Sequence, residues 1–340
     1  MKLLYKLGSG KEGYVYLADF QSQRVAVKVA RQAHENESSD EDDDLSNQTY
    51  YYNFTLECEI QKNLTEKGVP NIVPVLCYNV TQVPHYIVMP FMEKGPLWKL
   101  FRAGFSNMLQ RVNIMLDILR GLVGIHENKI VFCDLKSSNV LIDGNMKAYI
   151  GDFGHACEYN ISQGYRSISI SVDLGTNGYT APEIYENQEK VYTKESDIFS
   201  LGVVYWEMFS YTEPFRYFRA SEIERLTKQR DWETIPYDCP APIKSIIRGC
   251  RQDADKRPSF QQISEALEKF KQVIVKPAIV EISPAPQPVP ASPPKAINPS
   301  PSSVSISTSS NIFSAIKKTP TEPKRFYQVA TDAFTGCRIS

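Results

Sequence analysis

Residues 3 to 30 alternate apolar and polar positions in Tyr14-Val-Tyr-Leu17 and run β-branched in Arg24-Val-Ala-Val-Lys-Val29. With glycines and a polar Gln-Ser-Gln turn between them, these segments read as β-strands. Beyond them Phe54, Glu57, Ile60 and Leu64 recur at helical spacing, and Gly68 and Pro70 close that helix. Two further strand-like runs, Ile72 to Cys77 and Tyr86 to Phe91, complete a small β-rich lobe with one helix. From Gly95 the pattern becomes helical. Val112 to His126 is amphipathic, Asp197 to Ser210 is mostly apolar, and Ile243 to Cys250 and Phe260 to Phe270 read as helices too.

Composition divides the chain after Gln272. Eleven of the 22 prolines lie beyond it, with serines clustered at 300 to 310, so residues 273–340 read as a disordered Pro/Ser-rich tail and residues 1–272 as the folded domain. The formal net charge of −1 argues for no nucleic-acid partner, but it is a sum of unlike parts. The tail is +4, the rest −5, and residues 35–44 alone carry seven acids, in an acidic insertion spanning about 32–48 that has no periodicity. Seven scattered cysteines form no CxxC pair and only four histidines are present, which suggests neither a disulfide framework nor a zinc site and indicates a reducing, cytoplasmic compartment. No apolar run reaches 18 residues, so no bilayer span is expected.

Gly8-Ser-Gly-Lys-Glu-Gly-Tyr-Val15 fits a phosphate-cradling GxGxxGxV loop between two predicted strands, although a plain glycine turn or a dinucleotide fold gives the same letters. Lys28 lies 15 residues after the last of these glycines, within an apolar strand, where an ammonium is costly unless it meets an anion. Glu57 on the following helix can hold it by an ion pair and leave it aimed at nucleotide phosphates. Downstream, in order, come Asp134-Leu-Lys-Ser-Ser-Asn139, Asp152-Phe-Gly154 and Ala181-Pro-Glu183. Phosphoryl transfer needs amides over phosphates, a cation on them, and hard oxygen ligands for Mg²⁺, and the chain carries all three.

At these residues the chain resembles the eukaryotic-type protein kinase family over about 1–272. The resemblance implies an α+β, two-lobed kinase fold: a small β-rich lobe with one main helix and a larger, mainly helical lobe. It implies ATP and Mg²⁺ as cofactors and proteins as substrates. Asp134 would take or orient the substrate hydroxyl proton, Lys136 would steady the γ-phosphate, and Asn139 and Asp152 would hold the metal. Leu7, Gly8, Ser9, Gly10, Lys11, Glu12, Gly13, Tyr14 and Val15 would form the nucleotide cradle. Val15, Ala26 and Leu141 would sandwich adenine, positions that plain core packing also explains. Met89 and Met92, in Met89-Pro-Phe-Met92, match the segment between lobes, with Met89 limiting access behind adenine. Asp197 matches the aspartate that supports the catalytic loop, and Glu183 with Arg257 a structural ion pair. These last elements disfavour a small-molecule acceptor.

Asp-Leu-Lys-x-x-Asn is the form typical of Ser/Thr kinases, and Gly175-Thr-Asn-Gly-Tyr-Thr-Ala-Pro-Glu183 resembles the tyrosine-kinase-like group, with Thr176 placed to contact Asp134 and Lys136. Three positions depart from the family pattern. Cys133 stands where an arginine would read a phosphorylated activation loop, which implies activity independent of that phosphorylation. Phe132 replaces a histidine and should pack beside Phe153. Gln61 occupies a position where an apolar residue usually completes an internal stack, which could loosen the active arrangement of the helix. That keeps a weakly active or inactive nucleotide-binding scaffold as the alternative to an active enzyme.

Ser38 and Ser39 precede the acidic run and resemble an acidophilic kinase target. Ser283, Ser292, Ser300 and Thr319 each precede proline, which suits proline-motif-binding partners. The end, Cys337-Arg-Ile-Ser340, fits a C-a-a-X farnesylation signal at Cys337 although Arg338 is not aliphatic, and basic residues upstream would add attraction to a membrane surface. A terminus without such meaning is the competing reading.

Overall fold

The computed structural model describes residues 1–10, 13–31, 41–105, 107–160, 164–165, 175–186 and 190–276, and the side chains of 41–50, 159–160 and 164–165 are excepted. Three strands lead: β1 (Lys2–Gly10), β2 (Gly13–Phe20) and β3 (Gln23–Ala30). The helix α1 (Glu41–Glu66) follows, then β4 (Cys77–Asn79) and β5 (Tyr86–Pro90). The five strands form one antiparallel sheet in the order β1-β2-β3-β5-β4. Leu3, Tyr16, Ala18, Val25, Val27 and Val88 cluster on one of its faces, as period-2 alternation requires. The other face receives α1 through Ala30, Phe54, Cys58 and Ile87.

Two differences from the pattern reading arise here. The helix begins at Glu41, inside the stretch read as an aperiodic acidic insertion, because acidic residue types suit the positive end of a helix dipole. The run Ile72 to Cys77 is not a strand: Ile72 makes a single bridge to Ile150, and pairing in the sheet starts only at Cys77. Ile72 and Val73 are buried because the segment docks on the large lobe, with Val73 N–H donating to the Ile150 carbonyl and Ile150 N–H to that of Asn71.

The second lobe contains β6 (Gly95–Pro96), α2 (Leu97–Arg102), α3 (Met108–Glu127), β7 (Ile130–Val131), β8 (Val140–Ile142), β9 (Ala148–Ile150), β10 (Cys157–Asn160), β11 (Gly164–Tyr165), α4 (Pro182–Glu186), α5 (Lys194–Ser210), α6 (Ala220–Lys228), α7 (Ala241–Cys250) and α8 (Phe260–Val275). Asn107 caps α3, accepting Gln110 N–H at 3.0 Å, and so starts it earlier than periodicity indicates. The helix α5 opens on a Thr193/Ser196 capping box, and every residue from Ser196 to Phe209 is buried. Its mostly apolar sequence is therefore that of a central element rather than a surface helix. Gly202 lets α7 approach, since a Cβ there would lie 2.4 Å from the Cys250 Cβ.

The helix α8 runs to Val275, three residues past the compositional boundary. Lys11, Glu12, Ser38, Ser39, the proline-directed sites and Cys337 lie outside the described residues. No helix among the described residues is long and apolar enough to cross a membrane.

Candidate active site

Between the lobes lies a cavity of about 420 Å³ lined by Leu7, Gly8, Val15, Ala26, Lys28, Glu57, Met89, Met92, Asn139, Leu141 and Asp152, among others. The sheet builds its roof. Val15 pairs with Lys28, and Ala26 with Met89, so cradle, lysine and gate share one register. Gly13 is required where β2 meets β3: at φ +149°, a Cβ would sit 2.1 Å from the Val29 carbonyl oxygen. Ser9, Gly10 and Tyr14 belong to the β1–β2 arm but not to the lining. Alternation across the pleat sends Tyr14 opposite to Val15, and its ring lies 4.1 Å below the Lys6 ammonium and 5.3 Å from the Arg31 guanidinium.

Lys28 is buried and holds two acids at once, Glu57 at 2.7 and 2.8 Å and Asp152 at 2.8 Å. The α1 helix is thus seated with Glu57 inward, and the ammonium lies at the phosphate end of the cavity. Asp152 has a left-handed backbone, φ +66°, and a carboxylate that is 45% exposed. Asn139 donates its amide N–H groups to the Asp134 carbonyl oxygen and carboxylate, at 2.9 and 3.2 Å. Its amide oxygen and the Asp152 carboxylate, both in the cavity lining, are hard oxygen donors of the kind that would hold a partly hydrated Mg²⁺.

Around Asp134 the fold assembles residues from widely separated segments. Lys136 Nζ lies 2.7 Å from Asp134 Oδ2, and the Thr176 hydroxyl donates to Asp134 Oδ1 at 2.6 Å while accepting from Lys136 at 2.8 Å. His155 Nδ1 stands 3.5 Å from Asp134 Oδ2. Burial pushes the Asp134 carboxyl up, but His155 and Lys136 outweigh it and hold it below the usual carboxylate range. The loop itself hangs from α5: Asp197 accepts Phe132 and Cys133 N–H at 2.8 and 2.9 Å and lies 2.8 Å from His126 Nε2. Phe132 meets Phe153 edge to face, centroids 5.3 Å apart. Cys133 is buried with its sulfur 3.5 Å from that of Cys157.

Sequence reasoning missed His155 and Glu207. Glu207, on α5, accepts hydrogen bonds from Ser137 of the catalytic loop and Tyr179 of the segment before Ala181-Pro-Glu183, both at 2.8 Å. A lone acid inside an apolar helix was the available signal, because such a group demands partners.

Glycine-bearing strand pair, paired lysine, oxygen donors and hung aspartate are the parts that a two-lobed nucleotide-dependent phosphotransferase site requires. The protein kinase domain model matches residues 1–267, and the chain belongs to that family. It is 28% identical to serine/threonine-protein kinase STY46 of Arabidopsis thaliana, over 79% of this chain and 44% of that protein. It is also 28% identical to tyrosine-protein kinase csk-1 of Caenorhabditis elegans, over 79% of this chain and 47% of that one. A probable serine/threonine-protein kinase of Dictyostelium discoideum matches at 28% over 79% of this chain and 19% of its own length. The chain thus spans between a fifth and a half of these relatives.

Proposed function

We propose that the protein transfers the ATP γ-phosphoryl group to serine and threonine hydroxyls of proteins. The observation that carries this reading is Thr176, whose hydroxyl sits between Asp134 and Lys136 at 2.6 and 2.8 Å. A side-chain hydroxyl thus fits where the carboxylate can take its proton and the ammonium can neutralise charge on the transferring phosphoryl. Lys28 serves the α- and β-phosphates. Mg²⁺, on Asn139 and Asp152, would neutralise the phosphate oxygens when bound. The serine/threonine relatives support the same acceptor class.

Incubation with labelled ATP and Mg²⁺, comparing wild type with Asp134→Ala and Lys28→Met, tests the reading, and phosphoamino-acid analysis reads the acceptor. Label on serine and threonine in the wild type alone supports it. A folded wild type that binds nucleotide and transfers nothing supports the scaffold reading instead.

Activity independent of loop phosphorylation follows from Cys133, which is buried against Cys157 and supplies no cation to a phosphate. Alanine at Tyr159, Ser162, Tyr165, Ser167, Ser169 and Ser171 together should leave transfer within a few-fold of wild type, and abolished transfer in a folded variant overturns the idea. A cytoplasmic location is part of the same proposal: Cys58, Cys133, Cys157, Cys239 and Cys250 are free thiols, as a reducing compartment requires, whereas Cys77 is disulfide-bonded and runs against it. Cell fractionation with mass analysis of Cys337 tests it.

A further inference from the structure

Between α5 and α6 the chain turns Arg216, Tyr217, Phe218 and Arg219 to solvent, Tyr217 with 88% of its surface exposed and Phe218 with 47%. The strip is anchored from beneath. Phe215, directly before it, is buried against Ile223, Leu226 and Trp232 and donates its N–H to Glu233 Oε2 at 3.0 Å, and Phe218 N–H closes a turn on the Phe215 carbonyl oxygen at 2.9 Å. Neither arginine has a carboxylate partner among the described residues. The acids beside them are committed elsewhere, Glu213 to Arg102 at 2.6 Å and Glu222 to the Arg219 backbone N–H at 3.0 Å. Two cations and two rings thus face solvent on a fixed turn, with no anion supplied by the fold.

The strip lies within reach of the place where an acceptor hydroxyl would sit. The Thr176 hydroxyl, between Asp134 and Lys136, marks that place. Two residues on, Gly178 packs on Pro214, where a Cβ would stand 3.1 Å from the proline Cγ, and Arg216 follows Pro214 by two residues. Each two-residue step covers at most about 7 Å, so an extended arginine arm puts its cation within roughly 20 Å of the Thr176 hydroxyl. An extended peptide advances roughly 3.5 Å per residue, so a carboxylate about four to six residues from the acceptor can meet the strip.

We propose that Arg216 and Arg219 select protein acceptors whose serine or threonine is flanked by acidic residues, with Tyr217 and Phe218 offering apolar surface to the side chains between. This names a substrate class for the proposed phosphotransfer and rests on that reading. The chain itself contains such a sequence: residues 35–44 carry seven acids around Ser38 and Ser39, and Asp42, Asp43 and Asp44 stand four to six residues beyond Ser38. Exposed charge pairs are individually weak and are screened by salt, yet they discriminate an acid from its neutral amide. Two such cations should favour the acidic acceptor about tenfold in kcat/KM, and the preference should appear in KM because the contacts lie away from the reacting atoms.

The test uses the full chain with Mg·ATP and two peptides, one with the sequence of residues 33–45 and one in which every Asp is Asn and every Glu is Gln. Wild type should prefer the acidic peptide about tenfold. The double variant Arg216→Gln/Arg219→Gln should bring the ratio to within about twofold, Arg216→Glu/Arg219→Glu should reverse it, and about 0.5 M salt should compress each ratio toward one. A purely structural role would slow both peptides together and leave the ratio and its salt dependence unmoved. A wild type that phosphorylates no protein or peptide sinks the functional reading, and with it this one. A wild type that phosphorylates proteins but treats the two peptides alike overturns this inference alone, as does a ratio that the charge-reversed variant leaves unchanged. If the charge-reversed variant fails to melt cooperatively, the glutamine variant decides by the same ratio.

Discussion

Asp197 holds Cys133 in a left-handed backbone conformation: its carboxylate accepts the Cys133 N–H at 2.9 Å, with the cysteine at φ +68°. A non-glycine residue in that region carries strain that surrounding structure must offset, and the strain here sits directly before Asp134, the proposed catalytic residue. Asp197→Asn replaces one of the two acceptor oxygens by a donor that faces either the Phe132 or the Cys133 N–H, so it should relax the loop. The expected result is a stability loss of about 2–3 kcal/mol and a fall in kcat of roughly tenfold or more, with Mg·ATP affinity nearly unchanged. Unfolding curves and nucleotide titration separate these effects, and an unchanged kcat would sink the account.

Glu207 should give folding stability a dependence on pH near neutrality. Burial raises its carboxyl to about 7, against the hydrogen bonds from Ser137 and Tyr179 that lower it. An unfolded glutamate titrates near 4.3. Between these values the folded chain holds an extra proton, so this contribution is fully present below about 4.3 and lost as pH rises through about 7. The upper limit is on the order of 3 kcal/mol. Glu207→Gln should flatten the slope of stability between pH 5 and 8, and denaturant titrations across that range measure it. An identical slope in the variant would refute the assignment.

These two carboxylates mark what a linear reading can and cannot recover. Lys28, Glu57, Asp134, Lys136, Asn139 and Asp152 were legible through the resemblance of their ordered motifs to the protein kinase family, and the structure brings them together: strand pairing puts Lys28 in the cavity, where it meets Glu57 and Asp152, and Asp134 meets Lys136 and Asn139. The alternation of β2 also determined which cradle residues face in, yet spacing alone placed Tyr14 with Val15 although the pleat separates them. Contacts made across long separations were not legible. Ser137 and Glu207 stand 70 positions apart and meet only because α5 is buried along its whole length. The start of α1 was lost because a run of acids has no periodicity to read, while the dipole of a helix accepts such a run at its first turn. Gln61 was visible as a departure from pattern, but its hydrogen bond to the Val73 carbonyl was not.

Lys28→Met should harm more than nucleotide binding. Glu57 is 2% exposed at its side chain and meets Lys28 at 2.7 Å, so Lys28→Met takes a close cation away from a buried carboxylate. Breaking such a pair costs about 3–5 kcal/mol. Adding Glu57→Gln removes the stranded charge, and the double variant should be more stable than Lys28→Met alone while still failing to bind Mg·ATP. Denaturant midpoints of wild type, both single variants and the double variant form the cycle. Strict additivity would show that the pair contributes nothing to the fold.

Arg257 should prove costly to replace. Its side chain is fully buried, its two terminal nitrogens reach both Glu183 oxygens, the second at 2.7 Å, and it also donates to the Glu195 carbonyl oxygen at 2.8 Å. A lysine keeps the charge but cannot make the fork or stack its head on Phe199, 5.3 Å away. Arg257→Lys should therefore lose about 2–4 kcal/mol, seen as a lower denaturant midpoint at unchanged slope. Arg102 and Glu213 provide the control: they lie 2.6 Å apart but are 36% and 51% exposed. An exposed pair contributes at most about 1 kcal/mol, and salt screens it. Arg102→Lys should thus change stability little, and less still in 0.5 M salt, a concentration at which the Arg257→Lys loss should persist because water and ions do not reach the guanidinium. Equal salt sensitivity of the two variants would mean that burial does not govern the strength of the Arg257–Glu183 pair.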